Sequence, residues 1–222
     1  MRGVFQITKE RNDNAGEKEI KRWLVPTSSL VVFVGMMILV KLNNSMILHV
    51  DYEVLDWMTY LQKKDIINFF HMLARIFSPV LVIIYMSVLM FPLLREKITL
   101  PLLEVTTGYI LMEFIKNYVA RPRPTDMLVR AFGYSFPSAH TFEIVLVSLV
   151  MLQVAKQLIY NKKLLYLTYV TLLLVMALVI FSRLYLQVHF FSDVTAGVFL
   201  ALSWHGIWGN VIEKLTKKQR NY

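Results

Sequence analysis

Six apolar runs, each close to the length that crosses a bilayer, constrain this chain more than any other feature. They cover residues 25–42, 66–94, 98–118, 141–158, 164–186 and 193–212. About 20 helical residues span the hydrocarbon layer, where backbone groups must all be satisfied internally. The blocks are continuous rather than striped, so they predict an all-α membrane protein with six transmembrane helices. A mean hydropathy of +0.52 with 18% charged residues excludes an ordinary soluble domain. The second run is overlong and carries His71, Arg75 and Pro79, so part of it is expected to project beyond the bilayer.

The polar segments complete the plan. Residues 1–23 are basic and read as a flexible cytoplasmic tail, and residues 214–222 as a second one; residues 24–213 form the single transmembrane domain. The first run reads as a signal anchor, since no small-x-small cleavage site follows it. In residues 51–65, Val54, Leu55, Met58 and Leu61 share one face, with Tyr52, Trp57 and Tyr60 beside it. That pattern suits a short amphipathic helix in the membrane interface, or equally a surface helix packed on the bundle.

The formal charge is +9, yet the cations flank the apolar runs, so lipid headgroups and topology explain them better than nucleic acid. With both termini cytoplasmic, 15 of the 24 Lys and Arg residues fall inside, as the positive-inside rule asks. The chain has no cysteine, hence neither disulfides nor a thiolate metal site. This orientation brings the end of the third span, the start of the fourth and the end of the fifth to the outer face.

Those ends hold three polar clusters. In the first, KNYVARPRP at 116–124, Lys116 and Arg123 bracket a segment that two prolines force out of helix. The second, FPSAH at 136–140, precedes a helix; Ser138 is a candidate N-cap, and the following amides would offer an anion site. The third is SRLYLQVHFFSD at 182–193. If it is helical, Ser182, His189 and Asp193 share a face, and Asp193 can fix the His189 tautomer. Several fixed cations, helix-start amides, two histidines and a carboxylate at one membrane face suit a phosphoryl group. A metal held by His140, His189 and Asp193 is disfavoured by the surrounding cations.

K-x6-R-P at 116–124, P-S-A-H at 137–140 and S-R-x5-H-x3-D at 182–193 closely resemble the tripartite signature of the type 2 phosphatidic acid phosphatase superfamily. The resemblance extends from about residue 51 to the bacterial membrane branch and implies a helical core like that of vanadium haloperoxidases. It implies His189 as nucleophile, Asp193 as its orienting carboxylate and His140 as general acid and then base. Lys116, Arg123, Ser138, Ala139 and Arg183 would bind the phosphate. No metal or other cofactor is implied.

Ala139 stands where the family usually has Gly, which is harmless in a helix and costly only at positive φ; the helical case is expected. Glu104, Glu113 and Glu143 read as structural pairs within the bundle, Glu113 with Lys116. Arg75 and His71 either approach a headgroup or snorkel to the interface. His49 and His205 are assigned no role.

The function expected is hydrolysis of a lipid phosphate in the plasma membrane, on the outer face, through a phosphohistidine. Undecaprenyl diphosphate, phosphatidylglycerol phosphate and phosphatidic acid are the candidate substrates, the first two preferred. The alternatives are a lipid phosphotransferase using the same site, or a non-catalytic anionic-lipid binder or transporter. The sequence leaves the oligomeric state open.

Overall fold

The computed structural model describes residues 2–78, 81, 82, 84, 85 and 99–220, with side chains described within 19–213. Among the described residues every regular element is a helix: α1 (Arg2–Lys41), α2 (Ser45–Leu61), α3 (Lys64–Ile76), α4 (Thr99–Val119), α5 (Ala139–Leu158), α6 (Lys162–Tyr185) and α7 (Phe191–Arg220). The expected flexible tail at 1–23 is, from Arg2 onward, the first half of α1. A helix already nucleated in an apolar run extends into its flank at little cost per residue. The basic segment after residue 213 likewise continues α7 as far as Arg220.

Three helices among the described residues are long and apolar enough to cross a membrane: residues 19–41 of α1, then α5 and α6. The other runs are diluted by polar side chains that turn inward. Glu104 and Lys116 of α4 and Ser203 and Asn210 of α7 are buried. Of the expected second span, the first part is α3 and most of the rest, including Pro79 and residues 86–94, lies outside the described residues.

α5 is the central post. It is buried along most of its first three turns, and Phe142, Ile144, Val145, Leu146, Val147 and Val150 join one core with Val105 and Met112 of α4 and Ala196, Leu200 and Ala201 of α7. α6 instead turns Leu167, Leu173, Leu174 and Leu178 outward, an apolar surface that lipid would cover. At the far end of the bundle, Arg22 pairs with Glu213 and Asn210, joining α1 to α7. Glu104 pairs with His205 Nδ1 at 2.7 Å while its carbonyl accepts from Trp204 Nε1, the structural role expected of it.

Helix α2 begins before the expected interfacial segment, capped by Asn44, whose side chain accepts from the Met46 and Ile47 amides. Met58 packs on Leu184 and Val194, while Tyr52, Trp57 and Tyr60 stay exposed. The structure thus shows a helix docked on the bundle with an aromatic outer face. The inner face holds Asp51, which is completely buried.

Candidate active site

The segment 182–193 is not one helix. α6 stops at Tyr185, residues 186–190 form a turn with Gln187 at φ +54°, and α7 starts at Phe191. Helical periodicity therefore does not unite Ser182, His189 and Asp193; the turn brings His189 over Asp193 at the start of α7, while the Ser182 hydroxyl donates to the Val179 carbonyl within α6. Its conformation is held from outside. Gln187 Nε2 donates to the Leu55 carbonyl and Thr59 Oγ1 of α2, and Tyr185 Oη donates to the Leu61 carbonyl.

The second cluster meets the third directly, for the Ser138 amide donates to the Asp193 carbonyl at 3.0 Å. Gly197 permits this approach of α7 to the start of α5, since a Cβ there would lie 2.9 Å from the Ser138 carbonyl oxygen. Ser138 occupies the N-cap position, but its side chain does not cap; it accepts from Thr141 Oγ1 at 3.1 Å. Ala139 is the first helical residue and has no positive φ, so the missing Gly costs nothing.

From the first cluster, Arg123 reaches across the site. Its Nε and Nη2 donate to the Gly133 and Phe132 carbonyls, and Nη1 to the Val188 carbonyl at 2.7 Å. Nη1 also lies 3.2 Å from His189 Nε2. A guanidinium can only donate, so Nε2 is the acceptor and the proton of neutral His189 sits on Nδ1. Nδ1 faces Asp193 Oδ2 at 3.5 Å, longer than a hydrogen bond. Burial, and after it the charges of Arg123, Lys116 and Arg183, hold the His189 pKa well below the usual 6.5. The Arg123 pKa is itself lowered by burial, against the pull of Asp193. His140, in the first turn of α5, faces Ala74 of α3 across a shared cavity.

A cavity of about 660 Å³ opens here, and His140, His189, Arg123 and Arg183 all line it. Buried Nη2 of Arg183 has no hydrogen-bond partner among the described residues, so it is a donor in want of an acceptor. Lys116, Ser138, Ala139 and Asp193 are buried behind this wall. The two imidazoles thus face one space large enough for a headgroup, with cations around them.

His71 and Arg75 of α3 and Arg130 of the loop also line the cavity. Arg75 and Arg130 are exposed and His71 is half-buried, so the three stand where the cavity opens. Glu113 does not form the expected pair with Lys116: its side chain hydrogen-bonds Tyr109, a full turn earlier. Glu143 is buried with neither carboxyl oxygen hydrogen-bonded among the described residues, so its expected structural partner is not found.

Sequence reasoning missed Arg121 and Asp51. Arg121 donates from Nη1 to Asp193 Oδ1 and from Nη2 to Asp51 Oδ2, both at 2.7 Å. The repeated Arg-Pro at 121–124 was the available signal. Only the fold separates the two arginines, sending Arg123 to the cavity and Arg121 to the carboxylates behind it.

A family model described as the PAP2 superfamily matches residues 98–217. Among solved structures, the fold is similar to the crystal structure of the first transmembrane PAP2 type phosphatidylglycerolphosphate phosphatase from Bacillus subtilis. That similarity has a TM-score of 0.75 at 23% identity, over 86% of this chain and 96% of that one. Aquifex aeolicus LpxE is similar with a TM-score of 0.60 at 21% identity, over 72% of this chain and 94% of its own. No curated protein matches the sequence significantly.

Proposed function

This chain belongs to the PAP2 superfamily, and from that membership and the geometry of its site we propose that it is a membrane lipid phosphatase working through a phosphohistidine. The observation that carries the reading is the pair of imidazoles, His140 and His189, lining one cavity with Arg123 and Arg183. His189 presents an unprotonated Nε2, with Nδ1–H turned to Asp193.

A phosphoryl group entering the cavity displaces Arg123 Nη1 from His189 Nε2, and the non-bridging oxygens take up the Arg123 and Arg183 donors, with Lys116, the Ser138 hydroxyl and the Ala139 amide behind them. His189 Nε2 then attacks phosphorus in line. An N–P bond forms as the bond from phosphorus to the lipid oxygen breaks, and His140 gives that oxygen its proton. Asp193 stabilises the imidazolium as its charge develops. In the second half, His140 takes a proton from water, the hydroxide oxygen bonds phosphorus, and the N–P bond breaks to release phosphate. The guanidinium and ammonium groups neutralise charge that magnesium handles in other phosphoryl-transfer sites.

His71, Arg75 and Arg130 at the mouth support a headgroup with a second anionic group. Undecaprenyl diphosphate and phosphatidylglycerol phosphate fit this better than phosphatidic acid. We place the site on the outer face of the plasma membrane with both termini cytoplasmic, because this orientation keeps most cations inside.

Purified protein in detergent should release inorganic phosphate from a panel of these lipids, and His189→Ala should abolish the release. Undiminished turnover in His189→Ala would refute the mechanism. Excess EDTA should leave the rate unchanged, and a steep loss would restore the metal reading. A phosphotransferase would instead label an acceptor lipid more than water, and a binder or transporter would release no phosphate.

A further inference from the structure

Resting on this reading, we propose that Arg121, seated on Asp51 of α2, is a positioning residue: it holds one oxygen of Asp193 so that the other stays aimed at the nucleophilic His189. Each oxygen of Asp193 has a distinct task. Oδ1 accepts from Arg121 Nη1 at 2.7 Å. Oδ2 accepts from the Phe190 amide at 2.9 Å and faces His189 Nδ1. With Oδ1 pinned, the carboxylate cannot rotate to exchange its oxygens or swing from the ring.

Arg121 itself is over-determined. Its Nη1 also donates to Ser192 Oγ at 2.7 Å, and its Nη2 donates to Asp51 Oδ2 at 2.7 Å. Asp51 in turn accepts from the Ser192 amide at 2.8 Å and from Ser192 Oγ at 2.7 Å. The guanidinium lies 4.0 Å from the centre of the Phe190 ring, next to the nucleophile in sequence. Its carbonyl accepts from the Ser135 amide, so the same residue also braces the loop ahead of Ser138.

Arg121 is buried and lines no part of the cavity, unlike Arg123 two residues on. Its guanidinium is committed to Asp193, Ser192 and Asp51, so it reaches the reaction through Asp193 rather than through the phosphoryl group. A buried ion pair with a purely structural role would link α2 to the bundle equally well. The shared carboxylate is what sets the two roles apart, and a double-mutant cycle reads it.

The test measures lipid-phosphate hydrolysis by the full chain in detergent for wild type, Arg121→Met, Asp193→Asn and the double variant. Supporting partners of a catalytic group typically cost about 10- to 100-fold when removed. Arg121→Met is expected to lower kcat by roughly that factor with KM within about twofold. In the Asp193→Asn background the same change should cost less than about threefold, because the carboxylate that it serves is gone. Arg121→Lys, which keeps a cation but not the fork, should recover part of the loss.

An equal fold-loss in both backgrounds, or a KM that rises in step with the fall in kcat, would overturn the proposal. If Arg121→Met does not fold, Arg121→Lys takes its place in the cycle under the same criteria. A wild type that releases no phosphate, or a fully active His189→Ala, would fell the functional reading and this proposal together. Activity that depends on His189 with an additive cycle would fell the positioning role alone.

Discussion

Burial, and after it the charges of Arg123, Lys116 and Arg183, push the His189 pKa well below its usual 6.5, which favours a free lone pair on the ring. The sign follows directly: protonation is disfavoured in the folded site, so the acid limb of kcat/KM should lie below pH 6.5 rather than at it. Comparing two substrates whose phosphates titrate differently removes the substrate's own contribution. An acid limb at or above 6.5 for both would contradict the environment described. Asp193→Asn should lower kcat by about 10²- to 10⁴-fold with little change in KM, since it removes the acceptor that holds the Nδ1–H tautomer. Ala120 lies at φ +53°, just before Arg121, where a side chain costs about 1–2 kcal/mol. Ala120→Gly should therefore raise Tm in detergent, and an unchanged or lower Tm would deny that strain. Residue identities at the site were legible because each has few chemical equivalents. The division of labour between Arg121 and Arg123 was not, since neighbouring residues of one type differ only in where the backbone aims them.

At the scale of elements, the site depends on how closely α7 approaches the start of α5. Gly197→Ala would put a methyl against the Ser138 carbonyl, the Thr141 side chain and the Phe142 amide. Overpacking of this kind costs about 1–3 kcal/mol. Both Tm and kcat should fall, because the Ser138–Asp193 backbone contact moves with it; a variant with wild-type kcat would show that the close approach is dispensable. Helix existence was readable from apolar blocks, but the break at 186–190 was not. It carries no Gly or Pro to mark it, and the turn is held by hydrogen bonds from Gln187 and Tyr185 to α2, more than 100 residues away in sequence. Helix α2 shows the same limit: its exposed aromatics announced an interface, while its buried Asp51 gains meaning only opposite Arg121.

For the molecule as a whole, the absence of native cysteine makes membrane orientation directly measurable. Phe132 is 87% exposed beside the cavity and Tyr160 is 95% exposed in the α5–α6 loop at the opposite end. In intact cells, an impermeant maleimide should label Phe132→Cys and should reach Tyr160→Cys only after permeabilisation. The reverse pattern would invert the proposed orientation. The sequence by itself determined the helical class, the membrane setting and the signature residues, and it pointed to their gathering at one end of the bundle. Hydropathy, charge bias and rare functional side chains are local quantities, and each is written residue by residue. Tertiary structure alone decided which signature residues line the cavity and which stand behind it, how His189 is oriented, and that Arg121 joins a carboxylate of α2 to Asp193. Those are relations between distant segments, set by which surfaces pack together, and no local pattern encodes them.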